Sequence, residues 1–267
     1  MMNRPCCLTI AGSDSGGNAG VQADLRAFHC YGMHGCTVFA ALTAQNPFGV
    51  SAIHDVPADF VRAQLDAVLG VYDIRALKTG MLSSAVIVET VAECLRKYPD
   101  IQKVIDPVMI ATSGAKLISD EAIVALRQSL LPLATVITPN LPEASVLAEM
   151  DIRNRTDLHE AAKKLHDQFG CAVLIKGGHA QADLEEAEDT LFADGEFSTY
   201  KLPWIDNPVS THGTGCSMAA SLAAELALGH SLQDAVKGAK NYVFQAIRDS
   251  YYVGKNCGVL GFVKSSS

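Results

Sequence analysis

Short apolar or β-branched runs alternate with longer helix-forming stretches along nearly the whole chain, and this alternation limits the fold more than any other feature. Strands are predicted at residues 7–11, 37–43, 76–79, 103–105, 135–138, 172–176 and 189–192. Helices are predicted at residues 20–31, 57–72, 84–98, 119–130, 141–148, 157–169, 216–229 and 232–249. Strands that are separated by helices favour parallel pairing, with helices on both faces of the sheet. The predicted fold class is therefore α/β with a central, mainly parallel sheet.

The composition is typical of a globular protein and excludes several classes of partner. The 267 residues are 49% apolar and 19% charged, and we expect them to form one domain over residues 1–267. A net charge of −8 without a long basic run argues against nucleic acid and anionic membrane as partners. No apolar run approaches the roughly 20 residues of a membrane helix. The eight cysteines are scattered and the start of the chain resembles no signal peptide, so we expect reduced cysteines and a cytoplasmic location.

The segment Thr211-His-Gly-Thr-Gly-Cys216 joins a flexible turn to the start of a helix. Gly213 and Gly215 leave the backbone free to curl, and the residues that follow favour helix. The first N–H groups of such a helix have no partners within it and lie at the positive end of its dipole, so they can hold a phosphate or an oxyanion. Cys216 lies in the same field, which favours the thiolate. The structural alternative is a turn of small residues before a buried helix.

Polar side chains follow several strands at the edge where parallel sheets bind ligands. Asp106 follows one predicted strand, and Asn140 and Glu143 follow the next. Their oxygen atoms suit Mg²⁺, although the last two residues also fit an ordinary capped helix start. Lys176 ends a further strand, where it can pair with a phosphate.

The first strands lead into loops that suit a flat, polar ligand. The glycine-rich loop at residues 12–20 fits neither the dinucleotide-binding pattern nor the P-loop, because its spacing differs and it lacks the lysine. Asp24 follows in the next helix, where an acidic residue also simply suits the helix dipole. Gln45 closes its strand and can both donate and accept, as an aminopyrimidine or an amide requires; the alternative is a turn before Pro47. Met81 is either an apolar wall of the site or an ordinary core residue.

Further motifs extend this pattern through nearly the whole chain. In order they are Ala11-Gly-Ser-Asp-Ser-Gly-Gly, Gly20-Val-Gln-Ala-Asp24, Thr43-Ala-Gln-Asn, Lys78-Thr-Gly-Met, Asp106-Pro-Val-Met, Thr138-Pro-Asn-Leu-Pro-Glu143, Lys176-Gly-Gly-His and Thr211-His-Gly-Thr-Gly-Cys. One such motif is weakly specific, whereas this many in order is strongly specific. Together they resemble the ribokinase-like superfamily, and within it the hydroxymethylpyrimidine and phosphomethylpyrimidine kinases of thiamin biosynthesis.

The resemblance implies a role for each residue of the site. It implies that the pyrimidine is contacted by Gly12, Asp24, Gln45, Met81 and Val108. It implies that the phosphates of ATP are bound by Lys176, Thr211, Gly213 and Thr214, with Mg²⁺ near Asp106, Asn140 and Glu143. It implies a catalytic group formed by Cys216, Gly213, Gly215 and Lys176, with the cysteine where much of the superfamily has an Asp base. A homodimer is also what the family implies.

The predicted reaction is in-line phosphoryl transfer from MgATP to a primary hydroxymethyl group, with the Cys216 thiolate as base. The same site then phosphorylates the monophosphate to the diphosphate. Two alternatives stay open. A pyridoxal or pyridoxine kinase of the same fold is disfavoured by Gln45, because cysteine-containing pyridoxal kinases have an apolar residue there. A pyrimidine-binding module without catalysis is disfavoured by the presence of Cys216, Lys176 and Glu143.

The chain departs from the family pattern at two positions. Asn18 stands where the family usually has a third glycine. Thr112, in a stretch of small residues that is predicted to form a flap, stands where many members have a lysine. Without that lysine the phosphate region has one cation fewer, which argues against the second phosphorylation more than against the first.

Overall fold

A nine-stranded sheet forms the centre of the protein, and its middle strands are parallel. The computed structural model describes residues 4–109, 118–177 and 186–261. The strands of this sheet are β1 (Cys6–Asp14), β2 (His34–Asn46), β3 (Gly49–Asp55), β4 (Ile74–Thr79), β5 (Gln102–Ile105), β6 (Val136–Ile137), β7 (Ala172–Lys176), β8 (Glu186–Ala193) and β9 (Glu196–Pro203). Their spatial order is β3-β2-β1-β4-β5-β6-β7-β8-β9. Strands β2 to β7 of this order run parallel, whereas β3, β8 and β9 pair antiparallel at the two edges.

Helices cover both faces of the sheet, which confirms the predicted α/β class. The helices are α1 (Gly20–Cys30), α2 (Ala58–Leu69), α3 (Ala85–Leu95), α4 (Asp120–Ala125), α5 (Leu141–Ala148), α6 (Arg155–Phe169), α7 (Thr214–Ala227) and α8 (Leu232–Arg248). One core lies between the sheet and α1, α7 and α8. The other lies between the sheet and α2 to α6. None of the helices in the described ranges is long and apolar enough to cross a membrane.

Burial on both faces explains why the central strands read as continuous apolar runs. Successive side chains of a strand point to opposite faces. Val104 and Leu174 therefore enter one core while their neighbours Ile105 and Ile175 enter the other, and all four are fully buried. Because neither face meets water, no polar alternation marks these strands in the sequence.

The structure differs from the sequence prediction mainly at the edges of the fold. Strands β3 and β9 were not predicted, because edge strands are partly exposed and lack a strong apolar pattern; residues 51–55 of β3 are all exposed. Strand β8 begins at Glu186, three residues before its predicted start at residue 189. A small sheet of β10 (Tyr251–Val253) and β11 (Cys257–Val259) was also not predicted. The predicted flap and Thr112 lie outside the described residues, and the single-domain assignment stays a prediction.

The predicted helix at residues 119–130 is divided. α4 ends at Ala125, one wide π turn follows over Leu126–Leu130, and a 3₁₀ turn over Leu131–Leu133 ends the segment. Pro132 has no N–H group to continue the α-helical pattern. Leu126, Leu130 and Leu131 are all buried in this segment.

Because one side of α6 is buried against the sheet, shortening a core side chain of this helix is expected to destabilise the protein. Leu165 is fully buried, so Leu165→Ala is expected to lower the free energy of unfolding by about 2–5 kcal/mol because a cavity remains. The control is Gln168→Ala on the exposed side of the same helix, which should change it by no more than about 0.5 kcal/mol. Urea unfolding followed by circular dichroism measures both. Equal losses in the two variants would contradict this account of the core.

Candidate functional site

A cavity of about 510 Å³ opens at the carboxyl ends of the parallel strands. The chain goes from β1 to β2 on one side and then returns to β4 on the other, so the connections diverge on either side of β1. A crevice at such a switch point is where open α/β sheets bind ligands. The cavity is lined by the glycine-rich loop after β1, by the polar ends of β5 and β7, and by the start of α7.

The start of α7 carries the turn that the sequence singled out. Gly213 precedes the helix with a φ of 90°, and no side chain caps it. A Cβ atom at Gly213 would lie 2.0 Å from the backbone oxygen of Asn18, so only glycine permits this close approach. Thr211, Gly213, Thr214 and Gly215 all line the cavity. The first N–H groups of α7 are thus placed at the cavity wall, where an anion can bind.

The glycine-rich loop is held by Asp14, whose importance the sequence did not reveal. Its carboxylate accepts hydrogen bonds from the backbone N–H groups of Gly16, Asn18 and Ala19 at 2.8, 2.9 and 2.9 Å. Burial alone would raise the pKa of Asp14, but these bonds and the nearby His212 lower it below its usual value. Asn18 is buried and its φ is not positive, so the backbone does not require the glycine that the family usually has there.

Cys216 lies in the first turn of α7, two residues after the helix begins. Its Sγ accepts a hydrogen bond from the N–H of Gly20 at 3.4 Å. Burial raises the pKa of Cys216 above its usual value, with Lys78 opposing the effect and Asp24 adding to it. The thiol is therefore favoured over the thiolate at neutral pH, and the sequence-based expectation of a thiolate is corrected, because burial disfavours the charged form.

Lys176 and Asp106 form an ion pair at the ends of β7 and β5. The Nζ of Lys176 lies 2.7 Å from Oδ1 of Asp106, which also accepts a hydrogen bond from Thr138 at 2.9 Å. Burial alone would lower the pKa of Lys176, but Asp106 and Glu143 raise it. The glycine at position 215 keeps this pair open to the cavity, since a Cβ there would lie 3.7 Å from Lys176 Nζ. The ammonium group is thus charged and faces the anion-binding turn.

Asn140 and Glu143 form a capping box at the start of α5. The Asn140 side chain accepts from the N–H of Glu143 at 2.8 Å, and the Glu143 carboxylate accepts from the N–H of Asn140 at 2.9 Å. Both residues also line the cavity. The capped helix start and the polar cavity wall are therefore the same structure.

The predicted magnesium residues can be compared with what that ion requires. Burial raises the pKa of Glu143 to about 7; Lys176 opposes this and the nearby Asp106 adds to it. Two carboxylates on one cavity wall are a donor set that suits Mg²⁺, which commonly takes one or two carboxylates and completes its shell with phosphate and water. Asn140 fits less well, because its side-chain oxygen is engaged in the helix cap. The described residues contain no group of three or more His, Cys, Asp or Glu side chains that is arranged to hold a metal ion by itself.

The predicted substrate residues meet at the other end of the cavity, with one exception. Gly12, Gln45, Met81 and Val108 all line it. A Cβ at Gly12 would lie 2.8 Å from Cε of Met81, so the missing side chain leaves space for the methionine. The Gln45 carboxamide lies 3.0 Å from Oγ1 of Thr43 and 3.5 Å from Nε2 of His212. These contacts orient a side chain that can donate and accept at once.

Asp24 is the exception, and its assignment to substrate contact is corrected. Its side chain is fully buried and does not line the cavity. Both carboxylate oxygens lie near Nζ of Lys78, at 3.0 and 3.1 Å, and Thr9 donates to Oδ2 at 2.6 Å. The face of α1 that carries Asp24 turns toward the sheet, which the sequence alone could not establish.

The sequence did not reveal that one wall of the cavity is apolar. This wall consists of Trp204, Val243, Phe244 and Ile247. The last three follow the helical period of α8, but that pattern is the same for residues that enter a core and for residues that face a cavity. Asp189 and Lys240, an ion pair at 2.7 Å, lie in the same wall.

This arrangement defines the class of protein. A parallel sheet flanked by helices, a cavity at its switch point, an anion-binding turn and a lysine beside two carboxylates are typical of the ribokinase-like kinases, which phosphorylate small molecules.

Comparison with known proteins gives the family within that class. The family model described as phosphomethylpyrimidine kinase matches residues 14–261. The hydroxymethylpyrimidine/phosphomethylpyrimidine kinase of Haemophilus influenzae is 46% identical over 260 residues, which cover 97% of this chain and 96% of that protein. The ADP complex of Bacillus subtilis pyridoxal kinase superimposes with a TM-score of 0.90 at 37% identity, covering 97% of this chain and 98% of that one. The phosphomethylpyrimidine kinase of Clostridium difficile gives 0.82 at 38% identity, covering 91% and 100%. The chain belongs to the phosphomethylpyrimidine kinase family.

The close approach at Gly213 predicts a loss of activity that backbone strain alone does not cause. Gly213→Ala places a methyl group against the Asn18 oxygen and must displace the turn, so we expect a loss of kinase activity of at least about tenfold. Gly229→Ala is the matched control, because Gly229 has a similar φ of +87° but nothing within 4 Å of an added Cβ. It should cost about 1–2 kcal/mol of stability and leave activity unchanged. Steady-state kinetics and thermal unfolding of both variants separate the two effects, and equal activities would refute the clash.

Proposed function

We propose that this chain transfers the γ-phosphoryl group of ATP to 4-amino-5-hydroxymethyl-2-methylpyrimidine, and then to the monophosphate, in thiamin biosynthesis. The observation that carries the proposal is the position of Gln45 and Cys216 in one cavity of a chain that belongs to this family. In this proposal the Gln45 carboxamide reads the amino group and a ring nitrogen of the pyrimidine. The hydroxymethyl group of a ring bound there would point toward the start of α7.

The proposed mechanism assigns binding, charge stabilisation and proton transfer to separate groups. The first N–H groups of α7, at residues 213–216, and the ammonium group of Lys176 hold the transferred phosphoryl group and stabilise the charge that develops on it. Thr211 and Thr214 line the same side of the cavity and complete the nucleotide contacts. Cys216, once deprotonated, accepts the proton of the substrate hydroxyl. The apolar wall on α8 covers the nucleotide base.

Asp106 and Glu143 are the residues that would hold Mg²⁺ in this site. When bound, the ion neutralises charge on the phosphates of the nucleotide. Asp106 also keeps Lys176 charged, and Glu143 holds the start of α5 through its bond to the N–H of Asn140. Asn140 therefore acts on the metal through the position of Glu143 and not as a ligand.

The raised pKa of Cys216 predicts an alkaline pH dependence. A base must be deprotonated to act, and burial holds the pKa of this thiol above its usual value of 9.0. We therefore expect kcat/KM to rise about tenfold per pH unit through the neutral range and to level off only above pH 9. Cys216→Ala should lower turnover by roughly 10²- to 10⁴-fold. Cys216→Asp should retain activity with a flat profile in that range, since a carboxylate is already ionised.

The control for these variants is Cys6→Ala. Cys6 begins β1 and therefore lies at the opposite end of the parallel strands from the cavity. This variant should reproduce the wild-type profile. A Cys216→Ala variant with full activity would remove the thiol from the role of base.

A pyridoxal kinase is the second candidate function, because the Bacillus subtilis pyridoxal kinase has a closely similar structure. Gln45 separates the two candidates. Gln45→Leu removes the hydrogen bonds to an aminopyrimidine, so the kcat/KM ratio of pyrimidine to pyridoxal should fall by about tenfold or more. Asn46→Leu is the control, since Asn46 is exposed and does not line the cavity. ATP consumption with each substrate, with chromatography of mono- and diphosphate products, gives the ratio.

The outcomes of that assay also test the remaining alternatives. A wild-type preference for pyridoxal would overturn the proposed substrate, and pyrimidine binding without ATP consumption would support a non-catalytic module. Monophosphate without diphosphate would assign the first step alone and would point to Thr112. A homodimer and a cytoplasmic location complete the proposal; light scattering of the purified protein tests the first.

A further inference from the structure

A fully buried ion pair lies beneath the catalytic end of the cavity. Lys78 on β4 and Asp24 on α1 have no exposed side-chain surface. The Nζ atom lies within 3.1 Å of both carboxylate oxygens, and Thr9 donates a third hydrogen bond to the carboxylate. Although burial lowers the pKa of a lysine, Asp24 raises the pKa of Lys78 above its usual value. The ammonium group is therefore charged in the interior of the protein.

Stability alone does not account for this pair. Taking two charges out of water is costly, and replacing a buried ion pair with apolar side chains is often neutral or stabilising. The neighbouring core positions on β4, Ala76 and Leu77, are apolar and fully buried, so the surroundings offer such a replacement. Charged groups that are buried beside a reactive side chain often tune its chemistry, so a functional role for this pair has to be tested.

Two observations place the Lys78–Asp24 pair close to Cys216 and to the cavity. The N–H of Gly20 donates to Cys216 Sγ, and Asp24 lies four residues further along the same helix, hence on the same face. On the other side, Gly80 lines the cavity, and a Cβ at this position would lie 2.9 Å from Lys78 Nζ. The ammonium group thus lies directly under the cavity floor, beside the first turn of α7.

The charged groups around the thiol come from four elements. Lys78 comes from β4 and Asp24 from α1, while Asp106 and Lys176 come from the ends of β5 and β7. Burial raises the pKa of Cys216, Lys78 is the main opposing influence, and Asp24 partly cancels it. The Lys176–Asp106 pair faces the cavity. The Lys78–Asp24 pair is fully buried and has no access to a ligand.

We propose that Lys78 and Asp24 are positioning residues that set how readily Cys216 loses its proton, Lys78 favouring the thiolate and Asp24 limiting that effect. The pair acts as a buried dipole whose positive end stabilises the thiolate. The relevance of this pair to turnover rests on the proposed function, in which Cys216 is the base. The effect of the pair on the thiol is independent of that role and can be measured in the protein without substrate.

The test is the pH dependence of Cys216 alkylation by iodoacetamide, with the peptide that contains Cys216 quantified by mass spectrometry because the chain has eight cysteines. Asp24→Asn keeps the shape and removes the negative charge. With its oxygen at the Oδ2 position it can still accept from Thr9 and Lys78, and only the bond from Lys78 to Oδ1 is lost. This variant should speed alkylation near neutral pH by about tenfold, the effect of one pKa unit. Lys78→Met removes the positive charge and should slow alkylation by a similar factor. The double variant should lose the acceleration seen in Asp24→Asn.

A third buried ion pair, Asp189–Lys240 in the cavity wall, supplies matched controls. Asp189→Asn and Lys240→Met make the same substitutions in a pair whose Nζ–Oδ2 distance is 2.7 Å. They should leave the alkylation rate of Cys216 within about twofold of wild type, as expected where the charges act only on their own surroundings.

Faster alkylation of Cys216 in Asp24→Asn together with slower alkylation in Lys78→Met supports the proposal, because a merely structural role would change both rates in the same direction. Alkylation rates that change in the same direction, or by no more than in the controls, would overturn it. If Lys78→Met does not fold, the isosteric Asp24→Asn decides the question against Asp189→Asn. If Cys216→Ala retains full kinase activity, the proposed base is wrong, yet the alkylation order still tests the effect of the pair.

Discussion

The contact between the glycine-rich loop and the turn before α7 is the constraint on which the rest of the site depends. Asp14 gathers three backbone N–H groups of the loop and presents the Asn18 carbonyl to Gly213. The hydrogen bond from Gly20 to Cys216 then joins segments 196 residues apart. Because Asn18 and Gly213 meet backbone against backbone, this part of the cavity wall is formed by groups that cannot change rotamer. Side-chain packing elsewhere in the cores keeps the two segments in register.

The two ion pairs near Cys216 differ in their access to the cavity. The Lys176–Asp106 pair faces the cavity, so in the proposed reaction a phosphate would compete with a carboxylate for the lysine. That competition would weaken binding of simple anions and favour a nucleotide that brings its own cation. The Lys78–Asp24 pair is closed to solvent and meets only protein groups. One pair can therefore exchange partners during a reaction, whereas the other provides a constant field.

The sequence predicted the site better than it predicted the surroundings of each residue. Parallel strands share a carboxyl edge, so Asp106, Glu143 and Lys176 had to converge once the strands were recognised. Strand β7 and helix α5 were predicted at their observed bounds. The direction of Asp24 was not predictable, because it depends on the rotation of α1 against the sheet. The charge state of Cys216 depends on burial and on a lysine from a distant strand, and no local pattern records either.

Substrate choice and chemistry are provided by different parts of the sheet, which explains how one fold serves related vitamin kinases. Gln45 lies at the end of β2, next to the exposed edge strand β3, and its neighbours are Thr43 and His212. The proposed phosphate site lies at α7 and at the ends of β5 and β7. A change at the end of β2 leaves the hydrogen bonds of Lys176 and Cys216 intact. Specificity can therefore diverge between pyrimidine and pyridoxal kinases while the anion-binding turn and the buried pair beneath it stay fixed.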